Sequence, residues 1–127
     1  MHYSRREEPF RYTFPEPLPC KFQITRINGK TAGSSFGSLR IIDLSWNGAK
    51  IATEFDFQHP AHQVELTLFV QIMSEERELS GVVVHQEQAE SGFLCGIHLD
   101  SDDEIREWVT SELKAYAWQA VKNKKKK

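Results

Sequence analysis

Between Pro17 and Leu99 apolar and polar residues alternate, which is the two-residue period of a half-buried β-strand. Turn signals interrupt the alternation, and two of them are Asn-Gly, the strongest short-range hairpin signal because both residues accept positive φ. The pattern predicts six strands, at residues 18–27, 39–44, 49–55, 64–72, 79–86 and 93–99.

The order of these strands limits how they pair. No helical period lies between them, and parallel pairing would need crossovers of about a dozen residues. The chain is therefore predicted to be all-β with a C-terminal helix, its six strands forming an antiparallel barrel or sandwich. The helix is expected to begin at Ser101, where Glu104 three residues later completes a capping box, and Trp108, Val109 and Leu113 follow at helical spacing.

The 127 residues are enough for one domain. We predict four segments along the chain. They are a flexible arginine-rich N-terminal arm (1–16), a β-barrel (17–100), an amphipathic helix (101–122) and a lysine-rich tail (123–127).

Charge and hydropathy exclude several classes of protein. Five of the 16 basic residues are Lys122 and residues 124–127, so residues 1–121 hold 11 basic and 18 acidic residues, a net charge of −7. Such an acidic body argues against a general nucleic-acid binder, and no DNA or RNA partner is expected. No window is apolar enough to span a membrane, and no signal peptide is indicated, so a cytoplasmic protein is expected.

Catalytic and metal chemistry are not indicated either. Cys20 and Cys95 are too few and too far apart for a disulfide scaffold or a thiolate metal site, and His59 and His62 alone fall short of a zinc site. The sequence has no phosphate-cradling glycine-rich loop and no nucleophile elbow. Neither an enzyme, a metal nor a cofactor is therefore expected.

Two short segments combine residue types suited to a nucleotide. The first holds Arg5, Arg6 and Arg11, and the arginine fork chelates a phosphate or the O6/N7 edge of guanine. The second is residues 43–48, Asp-Leu-Ser-Trp-Asn-Gly, which offer a carboxylate and a hydroxyl where a strand ends. Each segment alone is also typical of an ordinary terminus or hairpin turn.

Together with the six strands and the helix, the two segments resemble the PilZ family, a six-stranded β-barrel that binds the bacterial second messenger cyclic di-GMP. The family signature joins Arg-x-x-x-Arg to Asp/Asn-x-Ser-x-x-Gly, and the second motif matches at Asp43, Ser45 and Gly48. Residues 93–99, with Gly96 ahead of alternating apolar residues, resemble the family's last strand.

The resemblance implies a cyclic di-GMP site in which the arginines bind phosphates and guanine edges, the aspartate and serine bind the bases, and the glycine shapes the turn. The implied ligand-binding residues are Arg5, Arg6, Arg11, Asp43, Ser45 and Gly48. We add Trp46 as a face for base stacking, with Phe10 and Tyr12 as alternatives.

The arginine segment departs from the family pattern in one respect. Four residues separate Arg6 from Arg11, one more than the family spacing. Two interpretations follow: a receptor whose arm orders over the dinucleotide and signals through a downstream protein, or a PilZ-fold protein-interaction module that has lost the nucleotide. A third, by analogy of fold only, is a small barrel for single-stranded nucleic acid, against which the acidic body argues.

Overall fold

The structure is a computed structural model that describes residues 9–33 and 35–125. These residues form seven strands and one helix. The strands are β1 (Tyr12–Ile27), β2 (Lys30–Thr31), β3 (Gly37–Ser45), β4 (Gly48–Thr53), β5 (Val64–Gln71), β6 (Glu76–Ala89) and β7 (Gly92–Asp100), and the helix is α1 (Asp103–Lys125).

Six of the strands close into an antiparallel barrel, as predicted. The order is β1-β3-β4-β7-β6-β5, and β5 pairs back onto β1 to complete the ring. Each of the six corresponds to one predicted strand. The seventh, β2, is a two-residue hairpin arm on β1, with Ile27 opposite Lys30; Lys30 and Thr31 are both exposed, so no alternation marked it in the sequence.

The core lies inside the barrel because one face of every long strand is apolar. In β5, Val64, Leu66, Leu68 and Val70 are buried, and the residues between them point outward. Burial of a full aliphatic side chain stabilises the fold by about 1.5–3 kcal/mol. The closed ring also pairs its strand edges, which would otherwise template aggregation.

β1 contains a large bulge that determines where its first residues lie. Thr13 pairs with Asp43, whereas the next pair is Leu18 with Ile41, so four residues of β1 oppose one of β3. Pro15 and Pro17 lie in this bulge, and proline has no N–H for a ladder hydrogen bond. Residues 12–16, which the sequence assigned to the arm, are therefore strand, and β1 begins beside the end of β3.

The start of α1 differs from the predicted capping box. The Ile105 amide donates to Asp102 Oδ1 (2.9 Å), so Asp102 is the N-cap and the helix begins at Asp103. The Ser101 hydroxyl instead donates to the carbonyl of Trp46 (2.7 Å), in the turn between β3 and β4. Ser101 was the wrong cap because a partner distant in sequence engages its hydroxyl.

α1 packs on the barrel through apolar side chains and is also held by the carboxylate of Glu112. Val109 and Leu113 are fully buried, and the Tyr116 ring makes edge contacts with Tyr12 and Phe14 at centroid distances of 5.7 and 5.2 Å. Glu112 accepts hydrogen bonds from Met73 N (3.0 Å), Ser74 N (2.8 Å) and Ser74 Oγ (3.0 Å). The helix is thus fastened to the β5–β6 turn as well as to β1.

In the described part of the chain no helix is both long and apolar enough to cross a membrane.

Candidate functional site

Arg11 and Asp43, 32 residues apart in the sequence, form an ion pair on the outside of the barrel. The start of β1 runs antiparallel to the end of β3, with Tyr12 opposite Leu44 and Thr13 opposite Asp43. Because side chains alternate between the faces of a strand, Arg11 lies on the same outer face as Asp43, whereas Leu44 points into the core. The fold therefore joins the two segments that the sequence singled out.

Ser45 was expected to hydrogen-bond a guanine base, but its side chain is fully buried. Its hydroxyl donates to Asn47 Oδ1 (2.7 Å) and accepts from the Asn47 amide (3.3 Å). These bonds close the Trp46-Asn47 turn, since Ser45 pairs with Gly48 across it. In this structure the serine shapes the turn from beneath, and Asp43 is the motif residue with a polar group on the outer face.

Gly48 leaves space that a side chain would crowd. Its φ is not positive, so the turn places no demand on glycine there. A Cβ at this position would lie 3.2 Å from Arg11 Nη2 and 3.3 Å from the carbonyl oxygen of Ile97. The Ile97 carbonyl belongs to β7 and cannot move freely, so the glycine keeps open the place where Arg11 crosses the end of the barrel.

Trp46 ties the motif turn to α1. The guanidinium of Arg106 lies 4.2 Å from the centre of the Trp46 ring. The backbone carbonyl of Trp46 accepts a hydrogen bond from the Ser101 hydroxyl. The Leu99 amide also donates to the carbonyl of Asn47 (3.0 Å), which fixes the turn against β7. One face of the ring is therefore occupied by a cation from the helix, and a base would have to use the other face or displace Arg106.

The outer face beside Arg11 and Asp43 is a shallow groove of about 610 Å³ across β4, β7 and β6. Cross-strand pairing places four residues side by side along the base of the groove. Lys50 of β4 pairs with Asp43 on one side and with Gly96 of β7 on the other, and Gly96 pairs in turn with His85 of β6. Gly96 has no side chain, so it forms a low point between Lys50 and His85. The groove has the width of several strands and can hold a ligand larger than one base.

The polar residues of this groove that were not identified as site residues from the sequence include Lys50, His85 and His98. Lys50 follows Gly48 by two positions, so the strand period alone would have placed it on the outer face with the motif. His98 joins this face through its pairing with Gly48, which the sequence does not reveal. For His85 no such signal existed, because a register shift between Val83 and His85 changes the face of β6.

The charges of the groove balance among the described residues. Arg11 and Lys50 supply two positive charges, and Asp43 and Glu87 supply two carboxylates, with Glu87 Oε1 3.5 Å from the imidazole of His85. A dianionic ligand would need further positive charge. The predicted contributors Arg5 and Arg6 lie outside the described residues.

The alternative stacking residues occupy different environments. Phe10 is 38% exposed, with the ammonium of Lys114 5.8 Å from the centre of its ring. Tyr12 packs edge-on against Phe14 and Tyr116, and burial, with Tyr116 nearby, raises the pKa of its phenol. Of the two, Phe10 has the accessible ring.

Neither the two cysteines nor the histidines of the described residues form a metal-binding cluster, and both thiols are buried. Burial raises the pKa of Cys20 to about 12 and that of Cys95 to about 11, so both remain neutral thiols at physiological pH. Within residues 9–33 and 35–125, no cluster of three or more His, Cys, Asp or Glu side chains could hold a metal ion.

A larger groove, of about 1260 Å³, lies elsewhere on the barrel. Its lining includes the rings of Phe36 and Phe69, whose centroids are 5.3 Å apart, and charged residues of both signs. None of the motif residues lines it. Because ligand choice follows from chemistry and not from volume, we assign the candidate site to the smaller groove.

Comparison with protein-family models matches residues 4–114 to the model described as PilZ domain. The match covers both motif segments, the whole barrel and the first half of α1. Comparison with curated proteins finds no match.

Proposed function

Because the chain belongs to the PilZ family, whose members are receptor domains that generally bind cyclic di-GMP, we propose that it is a cyclic di-GMP receptor. The observation that carries the proposal is the meeting of Arg11 with Asp43 beside the space left by Gly48. These residues come from distant parts of the sequence and share one outer face.

The chemistry of the ligand matches this pair. Guanine presents the O6 and N7 acceptors on one edge and the N1 and N2 donors on another, and cyclic di-GMP adds two phosphates. The fork of Arg11 suits the acceptor edge or a phosphate, and the carboxylate of Asp43 suits the donor edge. Gly48 and Gly96 let a base approach the backbone closely.

The pair can open for a ligand at small cost. The side chain of Arg11 is 45% exposed, and an ion pair of that exposure contributes about 0–1 kcal/mol to stability. Ligand contacts that replace it are charge-assisted and stronger than neutral hydrogen bonds. The ion pair therefore orients Arg11 and Asp43, and each side chain remains able to exchange its partner for a ligand.

We infer that Arg5 and Arg6 supply the positive charge that the described groove lacks. The N-terminal arm would then fold over the bound dinucleotide and bring its arginines to the phosphates. Ordering an arm lowers the affinity but changes the surface of the protein, and a downstream protein can recognise the changed surface.

Calorimetric titration tests the receptor proposal. The full chain is titrated with cyclic di-GMP, and GTP and cyclic di-AMP serve as control ligands. We expect selective binding of the guanine dinucleotide at micromolar concentration or below, lost in Asp43→Ala. The matched control is Glu78→Ala, which removes an exposed carboxylate from β6 outside the groove lining and should bind normally.

Limited proteolysis tests the ordering of the arm separately. Cleavage within residues 1–8 should slow at saturating cyclic di-GMP and stay unchanged with cyclic di-AMP. Unchanged cleavage at saturation would refute ordering of the arm while leaving nucleotide binding intact.

The second candidate function is a PilZ-fold protein-interaction module without nucleotide. The observation that favours it is the four-residue spacing between Arg6 and Arg11, one more than the family signature. The two candidates differ in the titration: no heat and no thermal shift at high ligand concentration would favour the interaction module.

A further inference from the structure

The outward face of the last turns of α1 carries an exposed aromatic and aliphatic pair among lysines. Lys114, Trp118, Val121 and Lys122 recur at helical spacing and share one face, which we call the C-terminal stripe. Trp118 is 65% exposed and Val121 is 48% exposed. The neighbouring ring of Phe10 extends the stripe beside Lys114.

The packing of α1 does not explain this stripe. The helix buries Val109 and Leu113 and half-buries Tyr116, all on the face toward the barrel. Trp118 and Val121 lie on another face and are more exposed than any of these. Single exposed apolar residues are ordinary, but a tryptophan and a valine one turn apart on a charged helix form a small amphipathic face.

Charge separates this end of the chain from the rest. Residues 113–127 contain six lysines and no carboxylate, whereas residues 1–112 contain 10 basic and 18 acidic residues. A negatively charged surface would therefore attract the end of α1 and repel the body. The charge pattern therefore favours a negatively charged partner and turns the end of α1 toward it.

We propose that the C-terminal stripe binds an anionic lipid surface. Tryptophan prefers the boundary between headgroups and acyl chains, an aliphatic side chain inserts beneath it, and lysines reach anionic headgroups. Nucleic acid would satisfy the lysines but offers no apolar layer for Val121. The helix would lie on the membrane and not cross it. The proposal is independent of nucleotide binding.

Vesicle flotation of the full chain, without nucleotide, tests the proposal. One set of vesicles is phosphatidylcholine alone, and the other is equal parts phosphatidylcholine and phosphatidylglycerol. We expect binding to the anionic vesicles only, decreasing as salt is added. Trp118→Ser should lower the partition coefficient about tenfold. Lys122→Gln should lower it about fivefold, the effect of one basic residue near a charged surface.

The matched control is Phe36→Ser, which removes an aromatic ring of similar exposure, 61%, far from the stripe in sequence and on the larger groove. Its partition should equal that of the unchanged chain. Circular dichroism melting of each variant confirms that it is folded. Because Trp118 is largely exposed, its substitution should not unfold the domain.

Two results would overturn the proposal. One is equal partition into neutral and anionic vesicles, or into neither. The other is anionic binding that Trp118→Ser leaves unchanged, together with equally tight binding of a DNA duplex; this would identify a general polyanion site formed by the lysines alone.

Discussion

The two Asn-Gly dipeptides of this chain both lie at hairpin turns but contribute to them in different ways. Asn28 and Gly29 have φ of 53° and 80°, and the pair connects β1 to β2 as a two-residue turn. Neither Asn47 nor Gly48 has positive φ, and the turn residues there are Trp46 and Asn47. Asn28 and Gly29 supply the positive φ angles of their turn. Asn47 supplies a side-chain hydrogen bond to Ser45, and Gly48 leaves space beside Arg11.

The surroundings of the two turns differ in the same way. Asn28 fastens its turn to the loop before β5, through Asn28 N to Gln63 O (2.8 Å) and Gln63 N to Asn28 Oδ1 (2.9 Å). The Trp46 turn contacts Arg106 of α1, is hydrogen-bonded to Ser101 and to Leu99 of β7, and lies beside Arg11. One sequence signal therefore marks a structural turn in one place and the turn of the proposed nucleotide site in the other.

The largest expected effect comes from breaking the hold of α1 on the barrel. Trp108 is packed against the core beneath the guanidinium of Arg77, and Trp108→Ala should lower the free energy of unfolding by about 3 kcal/mol. Chemical denaturation measures it. Trp118→Ala, on the exposed side of the same helix, is the control and should change stability by less than about 0.5 kcal/mol. A neutral Trp108→Ala would mean that the packing of this ring does not hold α1 on the barrel.

The next effect concerns the ligand and not the fold. Arg11→Ala should weaken cyclic di-GMP binding at least tenfold, about 1.4 kcal/mol, while the melting temperature stays nearly unchanged, because the Arg11–Asp43 pair is exposed. Calorimetry and thermal melting measure the two quantities. Arg26→Ala, which removes an exposed arginine near the far end of β1, should bind normally. Equal affinity of Arg11→Ala and the unchanged chain would remove Arg11 from the site.

Alanine at each glycine should separate the two turns. Gly29→Ala forces a side chain into positive φ with no neighbour within 4 Å, so it should cost about 1 kcal/mol of stability from backbone strain and leave nucleotide binding unchanged. Gly48→Ala has no such strain but crowds Arg11 and Ile97, so it should lower nucleotide affinity more than stability. The reverse outcome would contradict the assignment of roles.

The smallest effect depends on pH. Burial of Glu112 raises the pKa of its carboxyl, but the hydrogen bonds from Ser74 and Met73 outweigh this and lower it. A lowered folded pKa means that Glu112 stabilises the fold above the ordinary glutamate pKa, and that this stabilisation is lost as pH falls through the folded pKa. Glu112→Gln should cost less than about 1 kcal/mol at neutral pH, and the difference should vanish in acid. A difference that persists below both pKa values would contradict this.

The sequence predicted the barrel strands and the helix because their signals are local. Alternation in β5 and helical spacing after Asp103 repeat over many residues and need no distant partner. The sequence did not reveal the hydrogen-bond partners of two serines. The Ser101 hydroxyl bonds the Trp46 carbonyl, which tertiary packing brings close, and the Ser45 hydroxyl bonds Asn47 where the turn closes. His85 was not assigned to the ligand site because the bulge beside it changes which face of β6 it occupies. Strand pairing and bulges depend on contacts between residues that are distant in the sequence, so local patterns do not predict them.

The measurement that tests the central claim most directly is the change in backbone amide NMR shifts on saturation with cyclic di-GMP. We expect shifts at Arg11, Gly48, Lys50 and Gly96 and none at Asn28, Gly29 or the larger groove around Phe36 and Phe69. Shifts centred on the larger groove, or none at Gly48, would contradict a nucleotide site built on Arg11 and the Asp43–Gly48 turn.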